Sequence, residues 1–268
     1  MPPPDGRRAG WWIHLLLIAA LPVAVLLLGL GHSPLHGPAL THSVPGLIYV
    51  CAVQIAIFAV LLLLAWLASR ASSEELLLSW RPGFWVVPLG LAYSFALRIA
   101  LLAVGLMVVM ILLLTRVVSS KSLEHFSRTN APDVEALVDV AALRHDPVYF
   151  ALTLTLVSFV LGGLREELWR GAFLAGFRRL WPRHFGGRLG EMKAVLVASV
   201  LFGAAHSIQG PIAVVMTGLL GIGLGAIMVF HRSIWPAVFA HGFFDAASIA
   251  AIPLVMDQLQ KLKSSTGH

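Results

Sequence analysis

A chain of 268 residues could form one or two soluble domains or a single compact membrane bundle. Its 58% hydrophobic and 12% charged residues, with a mean hydropathy of +0.86, exclude an ordinary soluble domain, which carries about 25% charged residues. The net charge of +6 accompanies no RNA- or DNA-binding motif, and a single cysteine excludes an internal disulfide or a cysteine-ligated metal cluster.

A crossing helix needs roughly 20 apolar residues. The first such run, Trp11 to Gly31, follows Arg7 and Arg8 and is too long for a cleaved signal segment, so it is read as a retained span. The loop from Gly31 to Pro45 has no Lys or Arg and contains His32, His36 and His42, loop histidines of a kind that rarely bind metal. The second span is Gly46 to Ala68, with Cys51 inside it as a small buried hydrophobe. The third stretch, Phe84 to Leu114, is long enough to tilt or to extend beyond the bilayer, and Arg98 within it must face protein, water or a headgroup.

A mixed-charge segment from Arg116 to Pro147 lies outside the hydrocarbon, with a turn at Asn130, Pro132 and Asp133 followed by a short surface helix. The fourth span begins near Val148 and continues as helix to Leu180. Ala194 to Gln209, Ile212 to Phe230 and Ile234 to Met256 complete seven spans, or eight if a long one breaks. The chain therefore divides into N-terminal membrane helices and a polar loop (1–147), C-terminal membrane helices (148–256) and a polar tail (257–268). The fold class is all-α, a polytopic transmembrane bundle of seven to eight helices.

Lys and Arg accumulate before span one, after span two, after span four and after span six, which places the N-terminus in the cytoplasm. The four basic residues of the mixed-charge loop, and Lys261 and Lys263 in the tail, pull the other way. Gly221 and Gly225 in span six form a GxxxG pair that permits close helix approach. Trp11, Trp12, Trp80, Trp85 and Trp181 suit the membrane interfaces.

Ionisable groups inside spans are costly and mark function, and three clusters stand out. In Arg165-Glu166-Glu167-Leu168-Trp169-Arg170, Glu166 and Arg170 are one turn apart and are expected to pair, with Glu167 pointing about 100° away. Phe202-Gly203-Ala204-Ala205-His206 ends an apolar run on an isolated imidazole. His241-Gly242-Phe243-Phe244-Asp245 sets a second imidazole and a carboxylate on one face. Taken singly, these fit a structural ion pair, a hydrogen-bonded core histidine and a local side-chain hydrogen bond. Together they supply two glutamates, an Arg, two imidazoles and an Asp, a set that can activate water by general base or through a divalent metal.

The ordered triple resembles the family of type II CAAX prenyl proteases and bacterial Abi proteins (CPBP), whose motifs are EExxxR, FxxxH and HxxxN, over roughly Tyr149 to Ile252. The first motif is one residue short here, and Asp245 stands where Asn is common. The resemblance implies an intramembrane endopeptidase. Glu166 is the favoured water-activating base and Glu167 its neighbour, while Arg170 holds a glutamate charged. His206 and His241 bind metal or orient water, and Asp245 assists. For a metalloprotease the ligands would be Glu166, His206, His241 and Asp245 around Zn2+ or another divalent ion; the alternative is a metal-independent glutamic enzyme. The implied partners are a peptide or membrane-protein substrate, with or without a prenyl group, and the lipid bilayer, but no nucleic acid. The implied location is a bacterial cytoplasmic membrane. The competing readings are a non-catalytic immunity or scaffold protein that retains the motifs and, with no inverted repeat to support it, a small transporter.

Overall fold

The structure, a computed structural model, describes residues 5–31, 41–130 and 138–266; nearly all are helical, and no strand occurs among them. The helices in chain order are α1 (Asp5–Gly31), α2 (Val44–Ser69), α3 (Val86–Leu114), α4 (Ser120–Thr129), α5 (Val140–His145), α6 (Pro147–Leu152), α7 (Glu166–Leu180), α8 (Pro182–Phe185), α9 (Gly187–Ala204), α10 (Pro211–His231) and α11 (Trp235–Thr266). Between α6 and α7 the chain winds as a wider π-helix, Thr153–Arg165.

The helix starts follow from local chemistry. Ser43, Ser119, Asp139 and Asp146 each adopt extended backbone and accept a hydrogen bond from a backbone N–H of the helix they precede. Pro147 and Pro211 occupy first-turn positions, where a missing N–H costs nothing.

Six helical stretches are long and apolar enough to cross a membrane: Arg7–Leu27, Val44–Ser69, Gly83–Leu114, Pro147–Leu180, Pro211–His231 and Trp235–Val255. Phe95, Ile99, Leu102 and Leu106 of α3 are exposed, as are Val60, Leu63 and Leu67 of α2, an arrangement stable only against lipid. The protein is an integral membrane protein. The expected span Ala194 to Gln209 falls on α9 and the short turn after it and is not among these six. The helix there is α9, which starts at Gly187 and carries Arg188, Glu191 and Lys193 in its first half. These three charges all precede the apolar part of the helix, which starts at Ala194. Glu191 is bound by Arg178 at 3.0 Å and Arg232 at 2.5 Å, which fixes the start of α9 in a charged layer at the ends of α7 and α10.

The mixed-charge loop also differs from expectation. It contains α4 as well as the short helix α5, while the expected turn at Pro132 and Asp133 lies outside the described residues, as do His32 and His36. His42 pairs with Asp139. The Ala142 N–H and then His42 hold the Asp139 carboxyl below its ordinary value. The last helix continues through the polar tail to Thr266.

Helix α7 forms the centre of the bundle. Every residue from Trp169 to Gly176 is buried, so neighbours cover all its faces. Helix α1 lies against it through two side-chain contacts. Trp169 Nε1 donates to the Ile18 carbonyl at 2.9 Å, and His14 Nε2 lies 3.0 Å from the Ala172 carbonyl. Helix α11 packs between α3 and the π-helix, and α10 packs on α9. The Gly-rich face of α10 behaves as its sequence predicts. A Cβ on Gly221 would sit 3.1 Å from the Phe202 ring, and one on Gly225 would sit 2.5 Å from Val195.

Candidate active site

The three polar clusters come from α7, the end of α9 and α11. The pitch change from π to α falls at Arg165 and Glu166, so both glutamates stand on the first turn of the narrower helix. Such transitions recur at functional sites because they re-aim side chains. The two carboxylates have separate surroundings. Glu167 is fully buried; one oxygen pairs with Arg170, and Oε1 accepts from His241 Nδ1 at 2.9 Å. Glu166 is partly open and is held by Arg165 Nη2 at 2.8 Å, while Arg165 Nη1 donates to Gln54 Oε1 on α2 at 2.6 Å.

The expected Glu166–Arg170 pair is therefore corrected: Arg170 pairs with Glu167, three residues away. Neighbours at three and four residues are both within reach on a helix. The buried position of Arg170 selects the equally buried carboxylate, and Arg165 draws Glu166 outward. The Phe202 ring covers the Arg170 guanidinium at 4.7 Å. Arg170 Nε and Nη2 have no hydrogen-bond acceptor among the described residues.

Glu167 fixes the His241 ring through Nδ1 and leaves Nε2 as the working edge. That nitrogen lies 3.8 Å from Glu166 Oε2 and 3.5 Å from Asp245 Oδ2. Both distances are too long for a strong hydrogen bond and suit a single bridging water. Asp245 reaches this position because Gly162 of the π-helix has no side chain, and a Cβ there would sit 2.3 Å from Asp245 Oδ2. Gly162→Ala should therefore displace the Asp245 carboxylate and lower any activity of the site by about tenfold or more. Wild-type turnover in a properly assembled Gly162→Ala protein would contradict this.

His206 sits just beyond α9, its Nδ1 2.7 Å from the Phe202 carbonyl. It joins the cluster through an aromatic contact. The Phe202 ring lies 4.7 Å from the His206 ring and 6.1 Å from the His241 ring. Glu166, Glu167, Arg170, His241 and Asp245 thus form one connected group, with His206 beside it in contact with Phe202. The four expected metal ligands are not gathered at one point. Among the described residues no three or more His, Cys, Asp or Glu side chains are arranged to hold an ion. The donor set as placed among the described residues does not fit a metal.

Residues 148–247 match the family described as type II CAAX prenyl endopeptidase, Rce1-like. This C-terminal segment is similar to the type II CAAX protease family. No curated protein and no solved structure matches the chain. The Rce1-like segment holds all six candidate residues. It leaves out Gln54, which completes the Arg165 contact, and Arg98, whose guanidinium is bound to α11. Motif reading missed Gln54, Gly162 and the covering role of Phe202. Only Gln54 left a signal, as a lone amide in an apolar run.

Proposed function

We propose that this protein is an intramembrane endopeptidase that hydrolyses a peptide bond at or beside the bilayer with water activated by Glu166. One observation carries the reading. Glu167 is fully committed to Arg170 and His241, while Glu166 Oε2 and Asp245 Oδ2 stand at one-water spacing from His241 Nε2. The shortened first motif left either glutamate as the base; the unequal burial of the two supports Glu166.

In the proposed reaction Glu166 takes a proton from the bridging water, and the resulting hydroxide attacks the scissile carbonyl carbon. The carbonyl oxygen becomes an oxyanion. His241, as imidazolium donating from Nε2, and the neighbouring His206 offset its charge. The C–N bond then breaks, and Glu166 returns the proton to the leaving nitrogen. Arg170 acts through Glu167 as a positioning residue.

The family description makes a prenylated peptide of the CaaX class the first substrate to try. Basic loop residues favour a cytoplasmic N-terminus, in a bacterial cytoplasmic membrane.

The purified protein in liposomes is expected to cut such a peptide, as read by mass spectrometry. His241→Gln should reduce the rate by about 10²-fold or more. Equal cleavage by wild type and His241→Gln would overturn the proposal.

A further inference from the structure

The carboxylate proposed as the base is held from outside the Rce1-like segment. Gln54 lies on α2 in line with Leu47, Cys51 and Phe58, spacings that set one helix face. The apolar members of that face are buried, and Leu47 and Cys51 share a cluster with Tyr149 of α6 and Leu161 of the π-helix. The half-buried amide of Gln54 therefore stands on the inward face of α2. Its Oε1 accepts from Arg165 Nη1 at 2.6 Å, and Nη2 of the same guanidinium donates to Glu166 Oε1 at 2.8 Å. One arginine thus links α2 to Glu166.

A helix does not make the Arg165–Glu166 contact unaided. Adjacent residues on a helix do not face each other, so Arg165 must turn sideways and give up rotamer freedom to reach the carboxylate beside it. Gln54 binds the guanidinium through its other terminal nitrogen and holds it in that turned position. Held there, Arg165 bonds Oε1 and leaves Oε2 free at 3.8 Å from His241 Nε2, the spacing of one bridging water. Released, the guanidinium could grip both carboxylate oxygens, its favoured geometry, or turn to solvent, since its side chain is partly open. Neither arrangement presents Oε2 to the water in the same way. We propose that Gln54 is a positioning residue of the reaction, acting through Arg165 to hold the Glu166 carboxylate with one oxygen free. This rests on the protease reading and deepens it. Hydrogen bonds between membrane helices add little stability, whereas displacing a reacting group by about 1 Å can cost about 10²-fold in rate. The contribution of Gln54 should therefore fall on turnover.

The test uses a prenylated CaaX-class peptide in liposomes, cut by wild type, Gln54→Leu, Gln54→Glu, Arg165→Met and the double variant of Gln54→Leu with Arg165→Met. Each protein is also unfolded thermally in detergent. Gln54→Leu keeps the approximate size of the side chain and removes the acceptor. It should lower kcat by about 10- to 100-fold, with KM and unfolding temperature near wild type. Gln54→Glu retains an acceptor for Arg165 and should keep more of kcat than Gln54→Leu. In the Arg165→Met background, Gln54→Leu should lower kcat no further, because the amide reaches the carboxylate only through Arg165. Losses that multiply in the double variant would overturn the proposal. So would a fall in kcat that tracks the unfolding temperature across the set, since that is the result for a brace between α2 and the π-helix. A wild type that cuts the peptide and is matched in kcat by Gln54→Leu ends the role of Gln54 alone. A wild type that does not cut it ends the protease reading and the role of Gln54 together.

Discussion

Replacing Glu166 with glutamine should lower peptide hydrolysis by about 10²- to 10⁴-fold, the range for losing a positioned general base, while leaving the bundle assembled. The carboxylate is partly open, and its close partner is Arg165, which retains Gln54 and the amide oxygen of a glutamine. The substitution therefore leaves no unpaired buried charge. Its effect should fall on the rate, with unfolding in detergent and yield close to wild type. This separates the protease from a non-catalytic scaffold that retains the same residues. Full cleavage by Glu166→Gln would remove Glu166 as the water-activating base, and absence of cleavage by wild type as well would favour the scaffold.

Arg170→Leu should act in the opposite manner. Arg170 and Glu167 are both fully buried, so deleting the cation leaves a carboxylate in the protein interior with only the His241 ring to face. Breaking a buried pair from one side costs about 3–5 kcal/mol. The expected result is a large fall in unfolding temperature and yield, with activity lost as a consequence. The double substitution Glu167→Met with Arg170→Leu removes both charges. It should recover much of the stability, because an apolar pair of similar volume replaces the ions. It should not recover activity, because His241 Nδ1 would have no carboxylate to fix its ring. A double variant as unstable as Arg170→Leu would show that the pair itself, and not the orphaned charge, stabilises the core.

Much of this architecture was legible in the chain. Apolar runs of spanning length, interrupted by few charges, admit only helices in lipid, because every backbone N–H and C=O must find a partner within its own segment. Long runs such as Gly46 to Ala68 and Phe84 to Leu114 therefore located α2 and α3 closely. The stretch Ala194 to Gln209 located the apolar part of α9, but not its charged start, which Arg178 of α7 and Arg232 just after α10 hold through Glu191. The polar triple was likewise visible as ionisable groups where none should be.

Composition and hydropathy determined the membrane bundle, the cost of its internal charges and the three segments in which they occur. Only the tertiary structure decided which charge pairs with which. Helical spacing allows Arg170 either glutamate. Phe202 from α9 covers Arg170 and His241 from α11 binds Glu167, whereas Arg165 and Gln54 of α2 draw Glu166 aside. The sequence predicted that Arg98 must find a partner, but packing of α3 on α11 selected neutral acceptors on the face that carries His241 and Asp245. Local periodicity sets the direction in which a side chain leaves its own helix. What it meets there depends on residues far away in the chain, brought close by packing.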